Sequence, residues 1–236
     1  MKRLTTILLL FLPLISSAGL FDFGTKEKQE IKIFKDYPFD MRKDVFLTKF
    51  PNFGECEFNR AERICAPAGY EMLYGTHFNI VIKLDKKRTS SILLKPTEYS
   101  MDRVDFWELF RGLLKSGFVL YQVKDENGIG NMFDDLFEST KKGEKIDSLS
   151  PKLDVLESNK STQQTLYYIE KSKLDLVLKG NKFTSRDSIM NKLPKETRFI
   201  EMSVHSIKGE SYFIELTMSI PNLQVSSKDD RPVEKF

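Results

Sequence analysis

Apolar and polar positions along this chain predict an antiparallel sheet with a few helices laid against it. Glu30 to Lys35 alternates as a short strand, and Pro38 breaks it. Asp40 is placed to N-cap a helix from Met41 to Phe50, with Val45, Phe46 and Phe50 on one face and Leu47 beside them. Pro51 and Gly54 end that helix. Phe78 to Leu84 alternates cleanly, Asp85 to Thr89 turns, and Ser91 to Lys95 returns as the second strand of a hairpin. Ser100 then caps the strongest helical segment, Met101 to Ser116. Asp102 and Asp105 fall in its first turn, Lys115 in its last, and Gly117 follows as the C-terminal stop. Its expected buried face is Val104, Trp107, Phe110, Leu113 and Leu114.

Beyond it, Phe118 to Val123 reads as a strand, Asn127-Gly128 as a turn, and Asn131 to Glu138 as a short helix with Phe133, Leu136 and Phe137 inward. Ser139 to Gln164 is dense in Lys, Ser, Asp and Asn, which predicts a long loop or linker. Strands are expected at Thr165 to Glu170 and Lys173 to Lys179, then a helix at Ser185 to Leu193. Phe199 to Ile207 and Ser211 to Ile220 alternate as two strands around Lys208-Gly209. Pro221 to Phe236 is polar and reads as a mobile tail. The expected fold is α+β, an antiparallel sheet packed with two main helices. Residues 19–138 form its first half, and residues 165–220 a second half in the same domain or closely packed on it.

A faint internal echo runs through this layout. Residues 42–51 can be laid on residues 185–194 so that Asp44 meets Asp187, Lys49 meets Lys192 and Pro51 meets Pro194, with strands following both. A duplicated helix-plus-hairpin unit is one reading; coincidence in a short stretch is the other.

The most specific segment is Phe53 to Leu84, which holds both cysteines of the protein. Asn59 to Glu62 sits midway between Cys56 and Cys65. A chain folding back there brings the two thiols face to face at the open end of a hairpin, within disulfide reach. Phe39 to Val45, then Lys49 to Phe53, the cysteine pair and the Phe78 strand are similar to the opening unit of small exported bacterial proteins. In those, a capped helix packs on an antiparallel sheet, as in the outer-membrane assembly lipoprotein BamE and the beta-lactamase inhibitor proteins. The likeness covers about residues 38 to 95 and rests on element order. This chain differs from BamE in lacking a lipobox cysteine, and from the others in its long second half. What the resemblance implies is a binding scaffold.

Composition adds a destination. Met1-Lys2-Arg3 is a short basic head, Ile7 to Ile15 an apolar run, and Ser16-Ser17-Ala18 a small-residue cleavage signal. The run is shorter than the roughly 20 residues a membrane span needs, so residues 1–18 read as a signal peptide cleaved near Ala18. Export makes a structural bridge the natural reading of two cysteines. Thirty-seven Lys and Arg stand against 34 Asp and Glu, and without Lys2 and Arg3 the balance is +1. So small a charge supplies no field for nucleic acid or an anionic membrane. Nineteen Phe provide bulk for a real core.

The search for catalytic chemistry finds little. His77 and His205 are the only histidines, with no metal spacing between them, so neither metal nor cofactor is expected. HExxH, GxSxG, a P-loop and GxGxxG are absent. Ser139 to Lys142 matches SxxK, but in a Lys-rich stretch without companion motifs. Glu55, Glu57 and Glu62 read as a solvated hairpin face, and Asn159 begins a formal glycosylation sequon. The informative stretch is Ala66 to His77. Tyr70, Met72, Tyr74 and His77 are candidate partner-binding residues, because Tyr and Met on a rigid loop give large contact area at low entropic cost. Alternatively, Tyr70, Leu73 and Tyr74 simply cover the sheet. The expected function is an exported, non-enzymatic periplasmic binding protein, and most specifically an immunity or inhibitor protein occluding an envelope-acting toxin or hydrolase. Its partner is then a protein, with no nucleic acid and no stable membrane anchor. The rivals are an envelope assembly or lipid-handling factor, which needs an apolar cavity, and a hydrolase, which needs His77 or His205 beside Ser and Asp.

Overall fold

A computed structural model describes residues 30–58, 62–126, 128–131, 133, 161–179 and 185–226. Within them the alternating segments form an eleven-stranded antiparallel sheet and a two-stranded ribbon. The ribbon pairs β1, Lys32–Phe34, with β2, Tyr37–Pro38. The sheet is made of β3 (Gly54–Glu55), β4 (Arg63–Cys65), β5 (Glu71–Leu73), β6 (Thr76–Asp85), β7 (Arg88–Pro96), β8 (Met101–Asp102), β9 (Phe118–Asp125), β10 (Gly128–Asn131), β11 (Thr162–Glu170), β12 (Phe199–Ile207) and β13 (Ser211–Ser219). Its order is β10-β9-β11-β12-β13-β7-β6-β4-β3, with β5 beside β6 and β8 beside β13. The helices among the described residues are α1 (Lys43–Lys49), α2 (Arg103–Lys115), α3 (Lys171–Leu178) and α4 (Arg186–Met190). Because β7 pairs with β13 and β9 with β11, the two halves of the chain share one sheet.

Strand alternation sends one set of side chains under α1 and α2. Ile80 and Ile82, Ile92 and Leu94, Ile200, Met202 and Val204, and Tyr212, Leu216 and Met218 are all buried there. Helix α2 meets them with Phe106, Leu109, Phe110 and Leu113. Phe106 lies flat on Tyr212 with ring centroids 4.3 Å apart, and Phe110 meets Tyr168 edge-on at 6.0 Å. Each side chain of this size contributes about 2 kcal/mol by leaving water. A second, smaller core lies on the opposite face, where Tyr121, Ile169 and Phe199 pack under Leu174 and Val177 of α3 and Ile189 of α4.

Cys56 and Cys65 are joined, with Cα atoms 5.1 Å apart, as their spacing predicts. Residues 59–61 of that turn lie outside the described residues, as do residues 1–18, where a signal peptide is expected, and residues 139–160 of the expected linker. The hairpins β6–β7 and β12–β13 follow the alternation closely. Of the two echoing segments, each forms a short helix, and the aligned Phe46 and Ile189 are both fully buried.

Several expectations are corrected. Asp40 does not cap α1, whose N-cap is Arg42 without a side-chain bond. Instead Asp40, at φ +61°, takes a hydrogen bond from Arg88 Nε at 2.6 Å and another from the Ser226 amide at 2.8 Å. The C-terminal stretch is therefore held down as far as Ser226, with Val225 buried, and residues 227–236 lie outside the described residues. The cap of α2 is Asp102, not Ser100; its carboxylate accepts the Asp105 amide at 2.9 Å. The chain stays extended to that point because Met101 is buried and pairs with Tyr212. Helix α2 is also rotated from the expected face, with Val104 65% exposed and Leu114 outward while Phe106 and Leu109 are buried. Two apolar stripes compete on this helix, and the one carrying Phe106 and Leu109 wins the sheet. The strand expected at Lys173 to Lys179 is instead helix as far as Leu178, because Leu174 and Val177, three apart, reach the second core while Leu176 faces out. The loop expected up to Gln164 ends early, since β11 begins at Thr162 and Gln164 is buried. Of the helix expected at Asn131 to Glu138, Asn131 ends β10, Phe133 is helical and buried, and the rest lies outside the described residues.

Candidate interaction surface

On the face opposite α1 and α2, the helices α3 and α4 cover only the β9–β11–β12 end. The remainder, over β13, β7, β6 and β4, carries no helix among the described residues. One cross-strand row shows its character. Gln122, Tyr167, Glu201, Thr217, Leu93, Val81 and Cys65 stand opposite one another in successive strands. With strands roughly 4.8 Å apart, that row is about 29 Å long. It is polar at the β9 end and apolar toward the disulfide. In the next row Lys95 pairs with Glu215, an exposed ion pair of small energetic weight.

At the β4 end the disulfide opens into a depression of about 530 Å³ lined by Phe58, Pro67, Val81, Arg63, Glu55 and Glu57, among others. Phe58 is 79% exposed. Closing so short a loop removes chain entropy from the unfolded state and restrains the segment that presents Phe58. A second exposed aromatic group lies across the same face. Tyr99 is 90% exposed and stands edge-on to Phe213 at 5.0 Å, and Phe213 lies 5.7 Å from His205. Exposed aromatics held by neighbours are what a protein-binding face needs.

The four candidate residues of the Ala66 to His77 stretch are divided by the sheet. Met72 and His77 are cross-strand partners opposite buried Phe78, which puts them on the uncovered face. His77 Nδ1 lies 3.0 Å from the Gly69 carbonyl, which can only accept, so this nitrogen carries the proton. Tyr70 and Tyr74 are on the covered side. Tyr70 packs edge-on against Phe53 at 5.5 Å, within an aromatic cluster that includes Tyr37, Phe46 and Phe50. Tyr74 rests on α2 at Gly112, where an added Cβ would lie 2.3 Å from the ring, and its hydroxyl bonds Ser116. Between them, buried Glu71 accepts hydrogen bonds from the Tyr37 hydroxyl at 2.9 Å and from Lys35. Burial and this carboxylate push the Tyr37 phenol well above its ordinary value.

Sequence reasoning did not single out Phe58, Tyr99 or Phe213. The only signal was the outward phase of the β13 alternation, which marks Phe213 as apolar where Glu215, Thr217 and Ser219 are polar. Among the described residues neither His77 nor His205 is hydrogen-bonded to a Ser, Asp or Glu. No three His, Cys, Asp or Glu side chains there converge as metal ligands do. No protein-family model, curated protein or solved structure matches this chain. The likeness of residues 38 to 95 to small exported binding proteins therefore rests on element order alone, and α1 lacks the side-chain cap that the likeness includes.

Proposed function

We propose that this is an exported, non-enzymatic periplasmic binding protein that acts through surface: an immunity or inhibitor protein that occludes an envelope-acting toxin or hydrolase. The observation that supports this reading is the partly uncovered sheet face. It carries exposed Phe58 at a disulfide-restrained end and exposed Tyr99 on Phe213 across the same face. Sheet rigidity lowers the entropy lost on docking, and the near-balanced charge leaves affinity to local contacts.

The test is site-directed photocrosslinking in the native cell, with the reactive side chain at residue 58 or 99 and a control at Arg111, exposed on the outer side of α2. The expected result is one protein crosslinked from 58 and 99 but not from 111, whose toxic or hydrolytic activity falls when the complex forms. No protein crosslinked from either position, or a partner whose activity is unchanged in the complex, would overturn the reading. Tyr99→Ala should weaken that complex by about 2 kcal/mol with the fold retained.

A further inference from the structure

At the β9 end of the same face, five polar side chains converge where the second core gives way to solvent. We propose that they form a binding site for a small zwitterion of the amino-acid class, a site separate from the protein-binding surface above. The local sheet geometry assembles it. The register slips beside Tyr167, which pairs with Gln122, while Tyr168 pairs with Leu120, so Tyr121 is the extra residue of a bulge. Tyr121 is thereby brought beside Tyr167 with ring centroids 6.4 Å apart. Glu201 stands directly across from Tyr167 on β12, and Gln122 on its other side. Helix α4 supplies Arg186, whose guanidinium carbon lies 6.0 Å from the Tyr121 ring centre.

Two features point to a ligand and fix its chemistry. First, polar atoms here are buried without a partner: Gln122 Oε1, on a residue only 6% exposed, and Arg186 Nε. A buried acceptor and a buried donor left open are costly unless something fills them. Second, Arg186 lies over the Tyr121 ring and Glu201 stands across from Tyr167, yet among the described residues no ion pair joins one to the other. A simple anion would meet Glu201 and a simple cation would meet Arg186, so each is disfavoured by one of the charges. A molecule carrying both charges satisfies both. Its carboxylate accepts from Arg186 and from the tyrosine hydroxyls, and its ammonium donates to Glu201 and to Gln122 Oε1. The half-buried Tyr167 ring then offers an aromatic wall favourable to the ammonium, while Tyr121, enclosed by Phe133, Phe199 and Arg186, contributes its hydroxyl. Burial holds both phenols above their ordinary value, so they remain protonated donors at neutral pH.

The experiment is an NMR titration of the full mature chain with glycine, L-alanine and L-phenylalanine, with acetate and methylammonium as half-ligands. At least one amino acid should bind saturably at millimolar concentration, with shifts centred on Tyr121, Tyr167 and Arg186. The half-ligands should bind ~10-fold more weakly or worse, and Glu201→Gln or Arg186→Met should each weaken the amino acid by ~10-fold or more. Glu201 is exposed, so its variant keeps the test valid even if Arg186→Met unfolds. Three results would overturn the proposal. No amino acid saturates; acetate or methylammonium binds equally well; or Glu201→Gln leaves binding unchanged. The last two mean that only water or an unselective ion occupies these atoms. None of these results bears on the crosslinking at residues 58 and 99.

Discussion

The two faces of the central sheet are made by the same strands in the same register, yet they have different fates. On β13, Tyr212, Leu216 and Met218 are buried on the helix-covered side, Tyr212 against Phe106 of α2, while Phe213, Glu215 and Thr217 between them stay partly exposed on the other side. On β12, Met202 and Val204 are buried while His205 faces solvent. Over β13, β7 and β6, alternation decides which residues are sealed under the helices and which face away from them, whereas at the β9 end the second core buries part of the opposite face as well. Stability resides in both cores, and only the outward residues between them are accessible at the surface.

That contrast can be broken by mutation, most sharply at α2. Phe106→Ala removes a fully buried ring stacked on Tyr212 and should cost about 3–5 kcal/mol in urea unfolding. A loss below about 1 kcal/mol would mean that α2 does not anchor the covered face. Next in size is the cysteine pair. Replacing Cys56 and Cys65 together by Ser should lower stability by about 2–3 kcal/mol, read in the same unfolding experiment. Asp40→Ala should cost about 2 kcal/mol by removing the carboxylate that the nearly buried Arg88 and the Ser226 amide both bond, and should speed hydrogen exchange at the Ser226 amide. Unchanged exchange there would show that Asp40 does not hold the C-terminal stretch.

A smaller effect tests the α3 end by pH. Burial by itself would raise the Glu170 carboxyl, but hydrogen bonds from Arg198, at 2.9 Å to its Nη2, outweigh it and hold the group below its ordinary value. A carboxyl depressed on folding adds stability above its unfolded pKa, and that stability is lost as pH falls through the folded one. The melting temperature should therefore drop on acidification below about pH 4.5, and Glu170→Gln should flatten that limb. An identical acid profile in the variant would place the acid sensitivity elsewhere. Smallest of all, Tyr99→Ala on the uncovered face should change stability by no more than about 0.5 kcal/mol, so any larger loss would make Tyr99 a structural residue.

The local parts of this fold were legible in the sequence and the long-range parts were not. The β6–β7 and β12–β13 hairpins, the disulfide, Gly117 at φ +85° and the helix beginning beside Ser185 each depend on residues close together in the chain. Asp40 shows the limit. An acid before an apolar run looks like a helix cap, but its true partners are Arg88 and Ser226, which no local rule can supply. Lys173 to Lys179 failed for a related reason: Leu174, Leu176 and Leu178 fit the strand period while Leu174, Val177 and Leu178 fit the helical one, and only the second core selects the helix. The candidate surface was half legible. Met72 and His77 lie on it, but Phe58 and Tyr99 became visible only once it was clear that nothing among the described residues covers them.

The position of β13 carries a consequence for how the protein comes into being. The last strand among the described residues is seated in the middle of the sheet, between β12 and β7, and its pairing with β7 joins Leu216 to Leu94. Synthesised from its N-terminus, the chain can close the β6–β7 hairpin early, but β7 waits with one edge bare until β13 arrives. The interval is a window of vulnerability, during which an exposed, apolar-rich strand edge is open to a wrong partner. A chain cut short before Ser211 would keep that edge permanently, so incomplete copies should be recovered as aggregates and not as smaller folded proteins.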